Sequence, residues 1–582
     1  MTLSDQNEYR VGRREVPEDV LLSLPEDVHP VLRRVYAARH VDATQIEPKL
    51  SMMLPVSELA GAQRAAVRLA DALEAGERLL ILGDFDADGA TATALCISCL
   101  TAMGFRDVCY LVPNRVEFGY GLSVAIADEA AKRSPDLIVT VDNGISSHEG
   151  VARANELGMD VVITDHHLPG ASLPEAQVIV NPNSPDEPFP SKCLAGVGVA
   201  FYVMAALGRE LARRDLMTES EARKIVANCL DLVALGTVAD LVPLDFNNRI
   251  LVTAGLARMR GGQARPGLRA LFSVAGRNIH DVQAGDLGFA IAPRLNAAGR
   301  LTDMSLGIDC LLASSDKEAE QRAARLDALN LERRTLQTRM EAQAREHVQR
   351  VAASLSSDDR DAYCLFDDSW HEGVVGLVAS RIKDQVSRPV VAFALADSGR
   401  ALKGSARSVE GIHIRDVLDS IAAAHPGLIK KFGGHAMAAG LSLDADKFDA
   451  FDEAFAEAVS RYSELLSEPG CIWTDGALSG AELGLELAEQ LRSGGPWGQG
   501  FPEPIFENVL EIVDYRVLKD AHLKLRVSHP DQPGFTDAIA FNQAALPDGF
   551  DGSRLRLVYR LDVNEFRQRR THQLVVEHMQ CA

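Results

Sequence analysis

The sequence contains no run of about 18 apolar residues, which is the length that a helix needs to cross a bilayer. Its N-terminal segment, MTLSDQNEYRVGRREVPEDV, also lacks the apolar core of a signal peptide. Both absences argue against export or membrane insertion. We therefore expect no membrane partner and a location in the cytoplasm.

Disulfide bonds are also not expected, since the nine cysteines are odd in number and scattered along the chain. Cys96 and Cys99 form the only C-x-x-C pair. They lie within an apolar helical pattern, and no second pair or nearby histidine completes a zinc site. We predict that both cysteines pack in a hydrophobic core.

Positive charge is scarce, with 60 lysines and arginines against 82 acidic residues and a net charge of −22. Such a balance argues mildly against a polyanionic partner, because nucleic-acid binding usually requires a basic surface. Clustered aspartates that hold cations would weaken this objection. The 582 residues, of which 47% are hydrophobic, are typical of a globular protein with three or four domains.

The first half of the chain alternates short apolar strands with helical segments. Strand patterns occupy 78–85, 107–113, 136–144 and 160–167, and about ten or more residues separate each from the next. This spacing predicts βαβ units and a parallel sheet, so the fold class is α/β. A fifth strand is expected near 176–182.

The second half begins with a charged stretch, 316–353, that contains neither glycine nor proline and reads as a long connecting helix. A second α/β unit follows, and from about 470 the segments become β-rich, which predicts a small barrel of the oligonucleotide-binding (OB) type. We expect five regions: an N-terminal extension (1–50), a catalytic domain (51–312), the helix (313–355), a substrate-binding domain (356–467) and the barrel (468–582).

Acidic residues and histidines crowd the ends of the predicted strands. In open parallel sheets, ligands bind beyond the carboxyl ends of the strands. Carboxylates suit Mg²⁺ and Mn²⁺, and Mn²⁺ also accepts imidazole. Any one of these aspartates could simply cap a helix, but their recurrence at several strand ends favours a centre of two metal ions. The residues are Asp84, Asp86, Asp88, Asp142, Asp165, His166, His167 and Asp240.

The segments GDFDADGAT, TVDNGISS, VITDHHLPG and GTVADLVPL resemble the motifs of the DHH phosphoesterase family. The resemblance continues through VNPN, LAGVGVAF, APRLNAAGRL, KGSARS and KFGGHAMAAG, and it covers nearly the whole chain. Within the family it is most specific for single-strand-specific exonucleases. It implies a catalytic DHH domain, a DHH-associated domain and an OB barrel.

The resemblance also implies the roles of individual residues. Asp86 would bind one metal ion and Asp88 the other, with Asp142 bridging the two. His166 and Asp240 would complete the second site. The ions would be Mn²⁺ or Mg²⁺.

Three further residues complete the expected centre. His167 would lie close to the scissile phosphate, and Asp165 would orient the histidine ligand. Asp84 is a further candidate ligand. No serine or cysteine nucleophile is indicated, so the expected nucleophile is a metal-activated water.

Substrate contacts are expected from three groups of residues. Arg115 could clamp a phosphate and Tyr120 could stack on a base. Ser405 and Arg407 resemble the family's pocket for a 5′-terminal phosphate. The remaining candidates are Gly433, Gly434, His435, Arg294 and Asn296, and for the last two a structural hydrogen-bonding role is about as plausible.

The expected function is therefore 5′→3′ exonuclease activity on single-stranded DNA, in recombination and repair, with a single-strand-binding protein and a RecQ-like helicase as partners. A monomer could carry this activity. One alternative is a DHH phosphodiesterase acting on short RNA or dinucleotides, which the barrel disfavours. The other is a non-catalytic strand-binding scaffold, which the complete set of metal-ligand residues disfavours.

Overall fold

The computed structural model describes residues 9–113, 121–354, 360–396, 399–466, 471–566 and 569–582. The chain folds as two compact units. One unit comprises Val11–Asp327 and Trp473–Ala582, and the other comprises Met1–Arg10 and Ala328–Ile472. The limits that we predict for the individual domains stay predictions.

The first unit is built around a five-stranded sheet in which every neighbouring pair of strands is parallel. An N-terminal segment precedes the sheet and holds β1 (Arg10–Arg13), α1 (Glu18–Ser23), α2 (Pro30–Ala37) and α3 (Ala60–Ala75). The sheet and its helices are β2 (Leu79–Leu82), α4 (Ala87–Ala102), β3 (Val108–Leu111), α5 (Val124–Ala131), β4 (Leu137–Val141), α6 (His148–Glu156), β5 (Asp160–Thr164) and β6 (Val178–Val180).

The strand order of this sheet is β3-β2-β4-β5-β6, so the direction of winding reverses between β2 and β4. Strands β2 and β4 are buried along their whole length, which explains why their sequences are continuous apolar runs rather than alternating ones. A reversal of this kind opens a crevice at the carboxyl ends of the two strands. Asp84 follows β2 and Asp142 follows β4, so both lie at this crevice.

Helices cover the remainder of the catalytic region. They are α7 (Gly196–Arg213), α8 (Glu219–Ala227), α9 (Leu230–Ala239), α10 (Phe246–Arg260), α11 (Pro266–Val274), α12 (Ala284–Asp286), α13 (Ala292–Leu301) and α14 (Ser305–Leu311). A π-helical turn, Leu287–Ile291, joins α12 to α13. Helix α15 (Asp316–Ser354) then runs for 39 residues, which confirms the long helix that the sequence predicts.

The second unit contains a five-stranded mixed sheet in the order β10-β11-β9-β8-β7. Its elements are β7 (Tyr363–Phe366), α16 (Val375–Val386), β8 (Val390–Leu395), β9 (Ala401–Arg407), α17 (Ile414–Ala424), β10 (Lys431–Gly434), β11 (Ala438–Asp444), α18 (Phe448–Ser460) and α19 (Ser463–Leu466), and β12 (Cys471–Thr474) begins at its C-terminal limit. Phe393, Phe451 and Phe455 belong to its buried core. The expected second α/β domain is confirmed.

The C-terminal region of the first unit is a closed five-stranded barrel, as the β-rich pattern of its sequence predicts. Helix α20 (Leu485–Ser493) precedes the strands β13 (Phe506–Leu518), β14 (His522–Ser528), β15 (Thr536–Ala540), β16 (Arg554–Phe566) and β17 (Arg569–Cys581). The barrel closes through the pairing of β13 with β16 and the parallel pairing of β15 with β17.

Among the residues that the structure describes, no helix is both long enough and apolar enough to span a membrane. Cys96 and Cys99 are buried in α4, as expected, and their thiols are free. The Cys99 sulfur lies 3.7 Å from that of Cys229.

Candidate metal centre

The loop between β2 and α4 carries the first three carboxylates. Asp86 is the N-cap of α4, and its Oδ1 accepts a hydrogen bond of 3.0 Å from the Gly89 backbone N–H. Asp84 and Asp88 are buried on either side of it. A Cβ on Gly89 would lie 2.7 Å from the Asp84 Cβ, so glycine allows the first turn of α4 to pack against Asp84. Asp86 therefore caps a helix and also remains available as a ligand.

Asp142 joins these carboxylates from the neighbouring strand end. Its backbone adopts a left-handed conformation with φ 63°, which costs a non-glycine residue on the order of 1 kcal/mol. A Cβ on Gly196 would lie 2.5 Å from the Asp142 Cβ, so the first turn of α7 packs directly on this carboxylate. Non-glycine residues in sparsely populated conformations cluster at functional sites.

The same turn of α7 also fixes Asp88. One oxygen of Asp88 accepts a hydrogen bond from the Gly196 N–H at 2.6 Å, and the other accepts from the Val197 N–H at 2.9 Å. These N–H groups have no partner within the helix, so the buried carboxylate satisfies them. Both Asp88 and Asp142 are thus positioned by one helix N-terminus.

Asp165 organises the turn that bears the two histidines. Its Oδ1 accepts hydrogen bonds from the His167 ring Nδ1 at 2.7 Å and from the backbone N–H groups of His166 and His167. Its Oδ2 accepts from the Ile145 N–H at 2.9 Å. The histidine ring that Asp165 holds is that of His167, whereas the sequence led us to expect that of the ligand, His166.

Two asparagines that we did not predict hold the histidine turn from the other side. Asn181 Nδ2 donates to the His167 carbonyl at 2.9 Å, and Asn183 Nδ2 donates to the His166 carbonyl at 2.7 Å. Both belong to the VNPN segment, one of the motifs that carry the family resemblance. Their amide side chains fix the backbone and carry no ligand signal of their own.

The side chains converge on one point. His166 Nε2 lies 3.1 Å from Asp142 Oδ1 and 3.5 Å from Asp240 Oδ2, and among the described residues it has no hydrogen-bond partner. Three groups have ligand atoms within 4.8 Å of one another: Asp84 with Asp86 and Asp142, Asp88 with His166 and Asp240, and Asp142 with His166 and His167. Carboxylate oxygens with one or two imidazoles suit Mn²⁺ and Mg²⁺, so the residues fit the expected ions.

The electrostatics of the centre also favour bound cations. Burial, followed by the charge of Asp86, raises the pKa of Asp88 to about 7. Burial and the neighbouring carboxylates raise the pKa values of Asp142 and Asp240 well above their usual range. Several carboxylates so close together cannot all be charged unless positive charge is bound among them.

The two histidines have opposite protonation states. Burial, followed by the charge of His167, lowers the pKa of His166 to about 4, so this ring is neutral and can offer a lone pair. Burial alone would also lower the pKa of His167, but the hydrogen bond to Asp165 and the surrounding negative charges raise it to about 9. His167 is therefore a cation near neutral pH, and the hydrogen bond to it helps to keep the pKa of Asp165 low despite burial.

Helix α13 supports the loop of Asp84–Asp88 from below. Asn296 Oδ1 accepts a hydrogen bond of 2.8 Å from the Ala87 N–H. A Cβ on Gly299 would lie 1.8 Å from the Phe85 carbonyl oxygen, so the helix and the loop touch backbone to backbone. Arg294 on the same helix bonds to Asp327 at 2.9 Å. Asn296 thus has a structural bond, and its expected substrate contact stays a prediction, as does that of Arg294.

The second unit holds the other expected substrate residues. Arg407 Nη1 donates to Ser405 Oγ at 2.9 Å on β9. The next strands continue this face, because Ser405 pairs with Gly440 and Gly440 pairs with Gly433. Glycines at both positions leave the backbone without side chains, and no atom of the described residues lies within 4 Å of an added Cβ.

The remaining candidates are Gly434, His435, Arg115 and Tyr120. Gly434 has φ 145°, which favours glycine, and His435 is exposed. Arg115 and Tyr120 lie outside the described residues.

Comparisons with known proteins identify three domains. Residues 78–237 match the model of the DHH family, N-terminal domain; residues 358–461 match the DHHA1 domain; and residues 474–578 match the RecJ OB domain. The chain is 49% identical to the single-stranded-DNA-specific exonuclease RecJ of Dickeya dadantii (strain 3937), over 96% of this chain and 97% of that protein.

Two solved structures are also similar. The crystal structure of RecJ from Thermus thermophilus in complex with Mn²⁺ aligns with a TM-score of 0.79 and 29% identity, over 99% of this chain and 80% of that one. The structure of the same protein in complex with Mg²⁺ aligns with a TM-score of 0.74 and 28% identity, over 98% and 78%. The similarity therefore extends across nearly the whole chain.

Proposed function

Because the chain belongs to the RecJ family of single-stranded-DNA-specific exonucleases, we propose that it degrades single-stranded DNA from the 5′ end. It is an exonuclease that uses Mn²⁺ or Mg²⁺. The products would be 5′-mononucleotides, and the activity would serve recombination and repair. The observation that carries the proposal is the convergence of aspartates and histidines on the crevice between β2 and β4.

We assign the metal ligands from the two carboxylate groups of the centre. Asp84, Asp86 and Asp142 would hold one ion. Asp88, His166 and Asp240 would hold the other, and Asp142 would be shared. Two divalent ions supply charge neutralisation and lower the pKa of a water molecule, so that hydroxide is accessible near neutral pH. The distances from His166 Nε2 to the oxygens of Asp142 and Asp240 support the assignment.

His167 would bind the scissile phosphate. In the metal-free protein, despite burial, the hydrogen bond to Asp165 and the nearby carboxylates raise its pKa to about 9, and the Asp165 bond would continue to favour the protonated ring when ions are bound. Asp165 accepts from Nδ1, so Nε2 is the nitrogen that would donate to a phosphate oxygen. This charge-assisted bond would stabilise the negative charge that develops during phosphodiester cleavage. Asp165 would act through His167 as a positioning residue.

The polarity of digestion would come from a 5′-phosphate pocket in the second unit. Arg407 and Ser405 supply charged and neutral donors, and the N-terminus of α16 lies beside them, since a Cβ on Gly376 would be 2.9 Å from both side chains. A helix N-terminus with an adjacent arginine is a site suited to a terminal phosphate. The bare backbone of Gly433 and Gly440 would let the strand approach closely.

The barrel would hold the strand further from the cut. The Arg526 guanidinium lies 3.5 Å from the centroid of the Phe535 ring, and the rings of His522 and Phe541 are 5.5 Å apart. Phe535 and Phe541 flank β15 and are 59% and 54% exposed. Exposed aromatic rings beside cations suit the stacked bases and the phosphates of a single strand.

The proposal is tested with single-stranded DNA that is labelled at either end and incubated with Mn²⁺, Mg²⁺ or EDTA. We expect immediate release of a labelled mononucleotide from the 5′ label and a shortening ladder from the 3′ label. EDTA and Asp142→Ala should abolish both. Asp107→Ala, which removes an exposed carboxylate outside the centre, should leave the activity unchanged and is the matched control.

A different result would identify the alternative substrate. Cleavage of short RNA or dinucleotides, with single-stranded DNA left intact, would overturn the DNA assignment while keeping the metal centre. Strand binding with no cleavage of any substrate, in Mn²⁺ or in Mg²⁺, would point to a scaffold.

The proposal extends to the cellular setting. A DNA substrate implies work in the cytoplasm, where a helicase of the RecQ type would supply single strands and a single-strand-binding protein would present them. One chain carries the metal centre, the phosphate pocket and the barrel, so we propose that a monomer suffices. Pull-down with each purified partner and sedimentation of the protein alone test these points.

A further inference from the structure

Phe289 is exposed to an unusual degree. Its side chain is 87% exposed, whereas Leu287 and Ile291, at either end of the same π-helical turn, are fully buried. A π-helical turn contains one more residue than an α-helical turn, and such turns are frequent at functional sites. Here the buried residues anchor the turn while the phenyl ring points into solvent.

The turn is fixed next to the metal centre. A Cβ on Gly288 would lie 3.3 Å from the Val238 side chain, two residues before Asp240. Directly after the turn, α13 carries Asn296, which bonds to the backbone between Asp86 and Asp88. The π-helical turn that bears Phe289 therefore packs against the end of α9, which is followed by the candidate ligand Asp240. It also leads directly into α13, which holds the loop of the candidate ligands Asp86 and Asp88.

A second exposed apolar side chain follows a candidate ligand directly in the sequence. Leu241 comes after Asp240, is 66% exposed and has a left-handed backbone conformation with φ 59°. A non-glycine residue at positive φ is uncommon and costs free energy. Phe289 is thus not the one exposed apolar residue among the described elements that carry or contact the centre.

We propose that Phe289 stacks on a nucleobase of the substrate strand beside the metal centre and so contributes to the preference for single strands. The inference rests on the proposed function, which brings a polynucleotide to these carboxylates. An aromatic face is the complement of a base face, and every base offers one, so the contact is independent of sequence. Inside a duplex both faces of every base pair are covered by the neighbouring pairs, so only the outer face of a terminal pair could contact Phe289, whereas a single strand can offer an unstacked base at any position.

The test compares Phe289→Ala, Phe289→Leu and Phe289→Trp in first-nucleotide release from single-stranded DNA with Mn²⁺. Loss of the stacking ring in the Ala and Leu variants should raise KM about tenfold and leave kcat nearly unchanged. Phe289→Trp should retain the wild-type KM. Leu22→Ala removes another exposed apolar side chain, which is 72% exposed on α1, and serves as the control.

Abasic substrates locate the base and separate stacking from other effects. In the wild type, one abasic residue among the first four positions should raise KM by the same factor as Phe289→Ala. The same substrate should have no further effect in that variant. The stacking proposal is wrong if Phe289→Leu has the KM of the wild type. It is also wrong if, at each of the four positions, an abasic residue raises the KM of Phe289→Ala by the same factor as that of the wild type. If the wild type does not digest single-stranded DNA, the proposed function itself fails.

Discussion

Removing the metal ions should make the stability of the protein fall steeply with rising pH. In the metal-free protein, Asp88 has a pKa of about 7 instead of 3.8. The folded state therefore keeps a proton that the unfolded chain loses, and the free energy of unfolding decreases as the pH rises from about 4 to 7. A pKa difference of this size corresponds to about 4 kcal/mol, and the raised pKa values of Asp142 and Asp240 act in the same direction.

Bound Mn²⁺ should remove this dependence, because the cation stabilises the charged carboxylates and displaces their protons. Thermal unfolding monitored by circular dichroism at pH 5, 6, 7 and 8, in EDTA and in Mn²⁺, measures the effect. Between pH 5 and pH 8 the Asp88 shift alone accounts for about 3 kcal/mol of this effect, because the unfolded chain has already lost its proton at pH 5. For a cooperative unit of about 260 residues, the size of the predicted catalytic domain, this corresponds to a change in Tm of roughly 5 °C. The difference between the Mn²⁺ and EDTA samples should therefore widen by at least about that much from pH 5 to pH 8.

A variant in the carboxylates of the candidate metal centre tests charge repulsion directly. Asp240→Asn removes one of the repelling charges, so in EDTA it should resemble the wild type at pH 5 and exceed its Tm at pH 8. In Mn²⁺ the order at pH 8 should reverse, because a ligand is lost. Asp107→Asn, an exposed carboxylate paired with Arg78, should follow the wild type throughout. A wild-type Tm in EDTA that stays level or rises between pH 5 and 8 would refute the reasoning from charge repulsion.

Three further predictions concern single side chains. Asp165→Asn should lower the pKa of His167 and reduce kcat by about 100-fold at pH 8. At pH 6, where more of the His167 ring is protonated, kcat should partly recover. A pH–rate profile in Mn²⁺ with the same shape as that of the wild type would contradict this prediction. Asn296→Ala should raise the Mn²⁺ concentration needed for half-maximal rate while the KM for DNA stays constant, whereas a phosphate contact would change KM. Arg407→Ala should weaken binding of 5′-phosphorylated DNA by about 2 kcal/mol and of 5′-hydroxyl DNA far less, as measured by fluorescence anisotropy.

Most of the fold was accessible from the sequence because its strands have simple patterns. The buried strands of the parallel sheet are unbroken apolar runs, and their predicted positions agree with β2 to β5 within a few residues. We did not predict β13. A β-bulge between Ile512 and Asp514 shifts its register against β14, so apolar residues do not alternate along the whole strand.

The candidate metal ligands were accessible from the sequence for a different reason. Aspartates that follow two strands adjacent in an open sheet must meet at one edge, whatever the details of packing. Gly196 and Gly299 could not be found in this way, because their role is to lack a Cβ where α7 and α13 touch the centre. Residue types and spacing alone did not distinguish His166 from His167, whose separate roles came from the family resemblance, since the difference depends on which ring the Asp165 carboxylate reaches.

The acidic composition, which argued against a nucleic-acid partner, is reconciled with a DNA substrate by the location of the charges. The carboxylates of the centre face one another, and bound cations would turn them from a source of repulsion into an attachment point for phosphate. Many basic side chains form ion pairs with acidic side chains of the same chain. Arg214, for example, pairs with Asp71, Glu74 and Glu210. If the proposed contacts are correct, we expect affinity for DNA to depend on metal-mediated and stacking contacts more than on a basic surface. Net charge therefore predicts little about the substrate of an enzyme whose ligands are themselves acidic.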